Sequence, residues 1–325
     1  MTQAGGEAPA PADRLRIAVI GAGATGGYFG GRLALAGHDV RFLARGRTLA
    51  ALRADGLQVR SVRGDFRVHP PATDDPVEVG PCDAVLFCVK TYDTDGAAAL
   101  LPPLLGPDTA VLSVQNGIDN EERIGAVAGQ GHVIGGVAFI FAHVAGPAII
   151  EHTGGPSALV LGELDGRTTP RVERLAAACQ AAGIPAEVSA DILVRLWTKW
   201  AFICAQAGMT ATSRLGIGEI RQVPESLAMF RAILEEVWRV GRGEGVALPD
   251  DMVERQLEFA LSLEPGARSS LHDDLTAGRR MELEALHGEV VRRAARAGLD
   301  APAARAVYAI LRPWALRNEA ALEGR

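Results

Sequence analysis

Hydrophobic and polar positions follow one pattern in the first half of the chain and another in the second. Residues 16–20, 39–44, 82–89 and 109–115 are short, nearly continuous apolar runs bounded by glycine, proline or polar residues. Such runs are typical of strands buried on both faces of a parallel sheet. Between the first two lies a helical stretch, 25–36, with Gly37 placed as its C-cap. Residues 132–142 make a further β-rich run. The segments 148–152 and 157–164, separated by Thr153-Gly154-Gly155-Pro156, read as an antiparallel extension of the sheet, and 64–79 as irregular strands and turns. A helix over 170–182 and a strand over 184–188 close this half. From Asp191 only helical periodicity remains, over 191–211, 225–245, 250–263, 275–297 and 303–318, with Gly243, Gly245, Pro249, Pro265, Gly298 and Pro302 marking boundaries. The pattern predicts an α/β Rossmann-like N-terminal domain over 15–189 and an all-α C-terminal domain over 190–325, an order that builds a ligand site in the cleft between two domains.

The turn after the first strand reads Gly21-Ala22-Gly23-Ala24-Thr25-Gly26. Strand, glycine-rich turn, helix is the context a dinucleotide fingerprint requires. Gly21 permits the sharp turn, Gly23 lets backbone approach a pyrophosphate, and Gly26 lets the helix pack closely on the strand. The N–H groups at the helix N-terminus then face the anion. Some twenty residues on, where an acidic residue would bind a ribose 2′-hydroxyl, the chain has Arg45-Gly46-Arg47. Guanidinium groups there suit a 2′-phosphate, which favours NADP(H) over NAD(H); the alternative is that both arginines are solvated surface. Two of the buried strands end in Lys90 and in Asn116-Gly117. Ligands of open α/β sheets bind beyond the carboxyl ends of strands, so both positions are candidates, although Asn-Gly is also a common turn pair.

In the helical half, Ile192, Leu196, Lys199 and Ile203 follow i, i+4, i+7, i+11, which puts Lys199 on the apolar stripe between Trp197 and Trp200. A lysine on a buried face loses solvation and gives up its proton more readily; one at the edge of the stripe snorkels to water. Ser269, Ser270 and Asp274 precede the fourth predicted helix and read first as cap residues. Glu282 lies beside Leu283 and Leu286, where it is either partly buried or a surface glutamate. His272 reads as cap or surface and His287 as helix packing. No metal site is suggested.

Composition narrows the class. A chain of 325 residues is long for a single core, and 48% hydrophobic with 22% charged residues is ordinary for a globular protein. A net charge of -6 gives no reason to expect nucleic acid. No stretch reaches eighteen uncharged apolar residues, so no membrane span is expected. Residues 1–14, rich in alanine, proline and glycine, lack the apolar core of a signal peptide and read as a disordered tail. Cys82, Cys88, Cys179 and Cys204 are scattered without a CxxC pair, as suits reduced thiols in a cytoplasmic protein. The helical half has enough apolar face for a homodimer, yet faces covered within one chain would read the same.

Taken together and in this order, the fingerprint, Arg45, Val89-Lys90, Gln115-Asn116-Gly117, Leu196-Trp197-Thr198-Lys199, the run from Ser269 to Asp274, and Glu282 resemble the ketopantoate reductase (2-dehydropantoate 2-reductase) family. The likeness runs from Arg16 to about Trp314. It implies that NADPH lies across Gly21–Gly26, with Arg45 on its 2′-phosphate and Lys90, Asn116 and Ala142 near its ribose and nicotinamide. It further implies Lys199 as general acid, Asn116 and Ser270 on the oxygens of a 2-oxo acid, and Glu282 hydrogen-bonded within the cofactor–lysine–substrate cluster. The chain departs from the best-known members at Ile203, Ala207 and Ile217, where they have asparagines that hold substrate. Arg214 either supplies a replacement clamp for the substrate carboxylate or is a surface residue. The resemblance therefore implies reduction of ketopantoate for pantothenate synthesis, or a paralogous reduction of another 2-oxo acid or ketone. A non-catalytic NADP(H) sensor is a third reading, against which Lys199 and Glu282 stand.

Overall fold

The computed structural model describes residues 14–323; apart from Arg14, the segment read as a tail lies outside the described residues. Two compact units result. One comprises the chain to Gln115 together with Asn120–Ile192; the other comprises Leu193–Arg325 together with Asn116–Asp119. The expected division at 189/190 left Asn116 in the first domain, whereas its contacts group it with the helices.

The first unit is built on one ten-stranded sheet. Its strands are β1 (Arg16–Ile20), β2 (Asp39–Leu43), β3 (Leu57–Ser61), β4 (Phe66–Val68), β5 (Ala72–Thr73), β6 (Cys82–Phe87), β7 (Leu105–Ser113), β8 (Val133–Gly146), β9 (Ile149–Glu163) and β10 (Ala186–Val188). The spatial order is β4-β3-β9-β8-β7-β6-β1-β2-β5, with β10 paired to β9. From β5 to β8 every pairing is parallel; β9 returns antiparallel to β8, and β3 and β10 lie parallel to β9. Among the described residues the longer helices of this unit are α1 (Ala24–Leu35), α2 (Gly46–Asp55), α3 (Asn120–Ala128) and α4 (Pro170–Ala181). The continuous apolar runs of β1, β6 and β7 are buried because side chains on both faces of these strands are covered.

Two segments differ from the pattern. Thr153–Pro156 does not separate two strands; β9 runs through it, and the hairpin turn falls at Ala148, whose φ is 55°. The glycines are taken up as an irregularity in the pairing with β8, closed by His152, whose Nε2 lies 2.8 Å from the Gly154 carbonyl and 2.8 Å from Ser157 Oγ, while Nδ1 lies 2.7 Å from Ser61 Oγ of β3. A buried hydrogen-bonded histidine thus overrides a local turn signal. Residues 64–79 hold β4, β5 and a one-turn helix, Pro76–Val79, capped by the Asp75 carboxylate.

The second unit is helical, as the periodicity predicts: α5 (Ile192–Ser213), α6 (Pro224–Gly243), α7 (Met252–Ser262), α8 (Ser270–Thr276), α9 (Glu289–Arg296) and α10 (Pro302–Glu323). On α6 the buried positions Phe230, Ile233, Leu234, Val237 and Val240 recur at helical spacing. Buried Glu236 on the same helix accepts from the backbone N–H groups of Ala303 and Ala304 at 2.7 and 2.8 Å, so an acidic side chain caps α10. The predicted helix over 275–297 is broken. Its first part ends at Gly278, which adopts φ 65°, and the Arg279 backbone N–H and guanidinium both turn back to Asp274, at 2.8 and 2.7 Å. Asn318 of α10 donates to the Arg279 carbonyl at 2.8 Å. A π turn, Glu284–Gly288, then leads into α9. Among the described residues no helix is long and apolar enough to cross a membrane.

Candidate active site

The carboxyl ends of β2, β1, β6 and β7 are laced together by backbone bonds: Gly21 donates to Leu43, Cys88 to Ile20 and Val114 to Phe87. Gly21 has φ 98°, a conformation that an L side chain rarely adopts, and a Cβ there would stand 2.9 Å from the Val89 nitrogen. At Gly26 a Cβ would run into the Gly21 carbonyl and lie 2.9 Å from Cys88. Gly23, the N-cap of α1, differs from both: a Cβ there would meet nothing within 4 Å, and α1 has no side-chain cap and no acidic residue in its first turn. Two glycines are thus required by the protein's own packing. The third leaves open space over uncapped N–H groups, which is a cradle that fits a pyrophosphate. Ala22 is buried; Ala24 and Thr25 are half-buried at the start of α1.

Arg45 is the N-cap residue of α2, directly after β2, and both Arg45 and Arg47 are exposed. Neither forms a side-chain hydrogen bond or ion pair among the described residues. A guanidinium at this strand end, not engaged by the protein, fits a 2′-phosphate. Lys90 is half-buried three residues beyond β6. Its loop is pinned by buried Gln115, whose amide donates to the Val89 carbonyl and to Thr94 Oγ1, both at 2.9 Å. Asn116 follows Gln115 and is half-buried, beside Gly117 with φ 113°. Ala142 lies on the outer part of β8, half-buried and paired with His152.

In the helical unit Lys199 is half-buried on α5, between buried Trp197 and Trp200, whose rings meet edge to face at 5.2 Å. Ser269, not Ser270, caps α8: its Oγ accepts from the His272 backbone N–H and lies 2.8 Å from Thr210 Oγ of α5. This leaves Ser270 exposed at the first position of α8. Asp274 does not cap; it is buried in the last turn, paired with Arg279. His272 is buried rather than at the surface, with Nδ1 2.9 Å from Asp273. Glu282, 8% exposed, lies in the break before the π turn, because the helix expected to carry it stops short. Trp200 Nε1 donates to the Ala285 carbonyl at 3.1 Å and ties that segment to α5. Ile203 is half-buried on α5, while Ala207 and Ile217 are buried. Arg214 ends α5 with φ 61° and stacks on Trp314 at 4.6 Å, exposed. Among the described residues no group of three His, Cys, Asp or Glu could hold a metal.

Sequence reasoning gave Gln115 no role beyond its place in a motif, and it missed the π turn and the charged cluster behind it. In that cluster Glu284 binds Tyr308 and Arg292, each at 2.7 Å, and buried Glu289 pairs with buried Arg293, whose guanidinium lies over Trp197. The charged residues from Glu282 to Arg296 were legible, but the partners they find were not.

Fold and site define an oxidoreductase of the Rossmann type with a helical C-terminal unit. The model of the ketopantoate reductase PanE/ApbA family matches residues 17–166, and that of the ketopantoate reductase PanE/ApbA C terminus matches 191–315. The chain is 32% identical to a 2-dehydropantoate 2-reductase of Caulobacter vibrioides, with 92% of this chain and 99% of that protein covered. The crystal structure of a PanE/ApbA family ketopantoate reductase from Ralstonia eutropha is 35% identical with a TM-score of 0.85, covering 93% of this chain and 99% of that one. That of a 2-dehydropantoate 2-reductase from Geobacter metallireducens is 33% identical at 0.84, covering 92% and 99%. The chain belongs to the ketopantoate reductase family.

Proposed function

We propose that the protein reduces 2-dehydropantoate to pantoate with NADPH, in pantothenate synthesis. The observation that carries this reading is similarity over almost the full length to proteins named for that reaction. The open cradle at Gly23 and the exposed, unengaged Arg45 support the cofactor. Bound NADPH supplies the hydride to the ketone carbon. Lys199 protonates the oxygen on which charge develops, a cation aimed at charge that is absent in the ground state. Asn116 and Ser270 hold the substrate's oxygens, Lys90 and Ala142 flank the cofactor, and Glu282 hydrogen-bonds within the cluster. The site takes a small-molecule substrate and works in the cytoplasm.

Ile203, Ala207 and Ile217 favour a second reading. Apolar side chains along the face of α5 that holds Lys199, and at Ile217, suit a 2-oxo acid with an apolar group better than one with a hydroxyl. Values of kcat/KM for 2-dehydropantoate against a panel of branched and aromatic 2-oxo acids decide between them. Preference for 2-dehydropantoate is the expected result; a rate no better than the panel's sinks the first reading and leaves the second.

A further inference from the structure

The segment that carries Glu282 is held in place by side chains of its neighbours more than by a helical ladder of its own. Between α8 and the π turn it follows an irregular path, and the π turn closes with the Gly288 N–H on the Leu283 carbonyl at 3.0 Å. Two buried bonds join it to α5: Trp200 Nε1 to the Ala285 carbonyl, and His287 Nε2 to the Cys204 carbonyl at 2.8 Å. Trp200 and Cys204 are one helical turn apart, so both bonds leave the same side of α5, beginning at the residue next to Lys199. One bond would let the segment pivot; two set its register along and around the helix.

His287 is an expensive way to make a packing contact. A carbonyl only accepts, so the proton sits on Nε2 and Nδ1 is a bare lone pair, which has no partner among the described residues. A buried acceptor without a donor costs stability that an apolar side chain of similar size would not. Burial pushes the imidazole pKa down to about 4, against the weaker opposite pull of the Cys204 carbonyl, so the ring is neutral at ordinary pH. The position facing it is cleared: a Cβ at Gly208 would stand 2.7 Å from Nε2. Stability alone accounts for neither the histidine nor the glycine.

We propose that His287 is a positioning residue: its bond to the Cys204 carbonyl, together with that of Trp200 to Ala285, sets where the Glu282 carboxylate stands relative to Lys199 during reduction. This rests on the reading of Lys199 and Glu282 as the acting pair. Small misplacements of reacting groups are costly, so His287→Leu lowers kcat by roughly 10- to 100-fold while the KM for NADPH moves less than about twofold, measured with whichever 2-oxo acid is turned over fastest. His287→Gln keeps an N–H at the reach of Nε2 and restores kcat to within about threefold of the wild type. Trp200→Phe, which keeps the ring and removes the donor, shows the same split. The proposal is overturned if Trp200→Phe and the His287 variants keep wild-type kcat, if glutamine does no better than leucine, or if KM for NADPH rises in step with the loss of kcat. Should His287→Leu fail to fold, the glutamine and phenylalanine variants decide. A Lys199→Ala enzyme that still turns over would overturn the general-acid reading itself, and this proposal with it, whatever His287 does.

Discussion

The glycine turn after β1 and the π turn before α9 both depart from regular structure, and they do so for opposite reasons. At the first, the shape follows from side chains that are missing: Gly21 and Gly26 let backbone meet backbone, and Gly23 leaves room above the helix start. At the second, bonds to side chains and to a neighbouring helix impose the shape: Trp200 of α5 and the turn's own His287 hold the backbone on α5, and Arg292 donates to the Glu284 carbonyl at 2.6 Å. A local code can be read from a few consecutive residues. A shape made by long-range bonds cannot.

The largest expected effect is at the lysine proposed as general acid. Lys199→Ala should lower kcat by roughly 10²- to 10⁴-fold, the range of a general acid, with NADPH affinity in a fluorescence titration almost unchanged. Comparable losses in both would mean that the lysine holds the cofactor, whereas a wild type without any turnover would favour the sensor.

Next comes acid stability at the π turn. His287 has a folded-state pKa of about 4 against an ordinary value of 6.5. The unfolded chain therefore binds the extra proton first. The stabilisation from keeping the ring neutral is complete above pH 6.5 and is lost as the pH falls towards 4, by at most about 3 kcal/mol. His287→Gln should flatten the fall in unfolding free energy between pH 7 and 4.5; parallel curves for variant and wild type would count against it.

At the glycine turn the three positions should come apart. Gly26→Ala forces a carbon into the Gly21 carbonyl and should cost about 1–3 kcal/mol in urea unfolding. Gly23→Ala should leave stability nearly as it was and weaken NADPH binding about tenfold or more, because the added methyl occupies only the ligand's space. Equal unfolding curves for the two alanine variants would erase the distinction. The smallest effect is expected at Arg45→Ala, a rise of about tenfold in KM for NADPH with NADH almost untouched. An equal change with both cofactors would remove the 2′-phosphate from its role.

Much of the first unit was legible because a strand buried on both faces has a distinctive run of apolar residues, and β1, β2, β6 and β7 were found within a few residues of their limits. The helix α2 and strand β3 were passed over, since ten residues with only Leu49 and Leu52 buried carry little pattern. The Thr153–Pro156 turn was misread because His152, 91 residues from Ser61, holds that stretch in β9. Glu282 was singled out, but on a helix that does not exist there; Gly278 was the available sign of a break, and it was read as an interior residue. Nothing local to Gln115 could have revealed the bond to Val89 that steadies the loop of Lys90.

The helix α1 carries four glycines, Gly26, Gly27, Gly30 and Gly31, all buried. Each costs a helix about 1 kcal/mol relative to alanine, so the segment cut out of the protein has little tendency to be helical. Its coil is stabilised by the sheet beneath, where Gly30 lets it sit on Val19 and Phe42. The row of free N–H groups at the start of α1 thus has no existence ahead of β1 and β2. A partly folded chain has no weakened nucleotide site to offer, and cofactor capture during refolding should appear in step with the sheet and never before it.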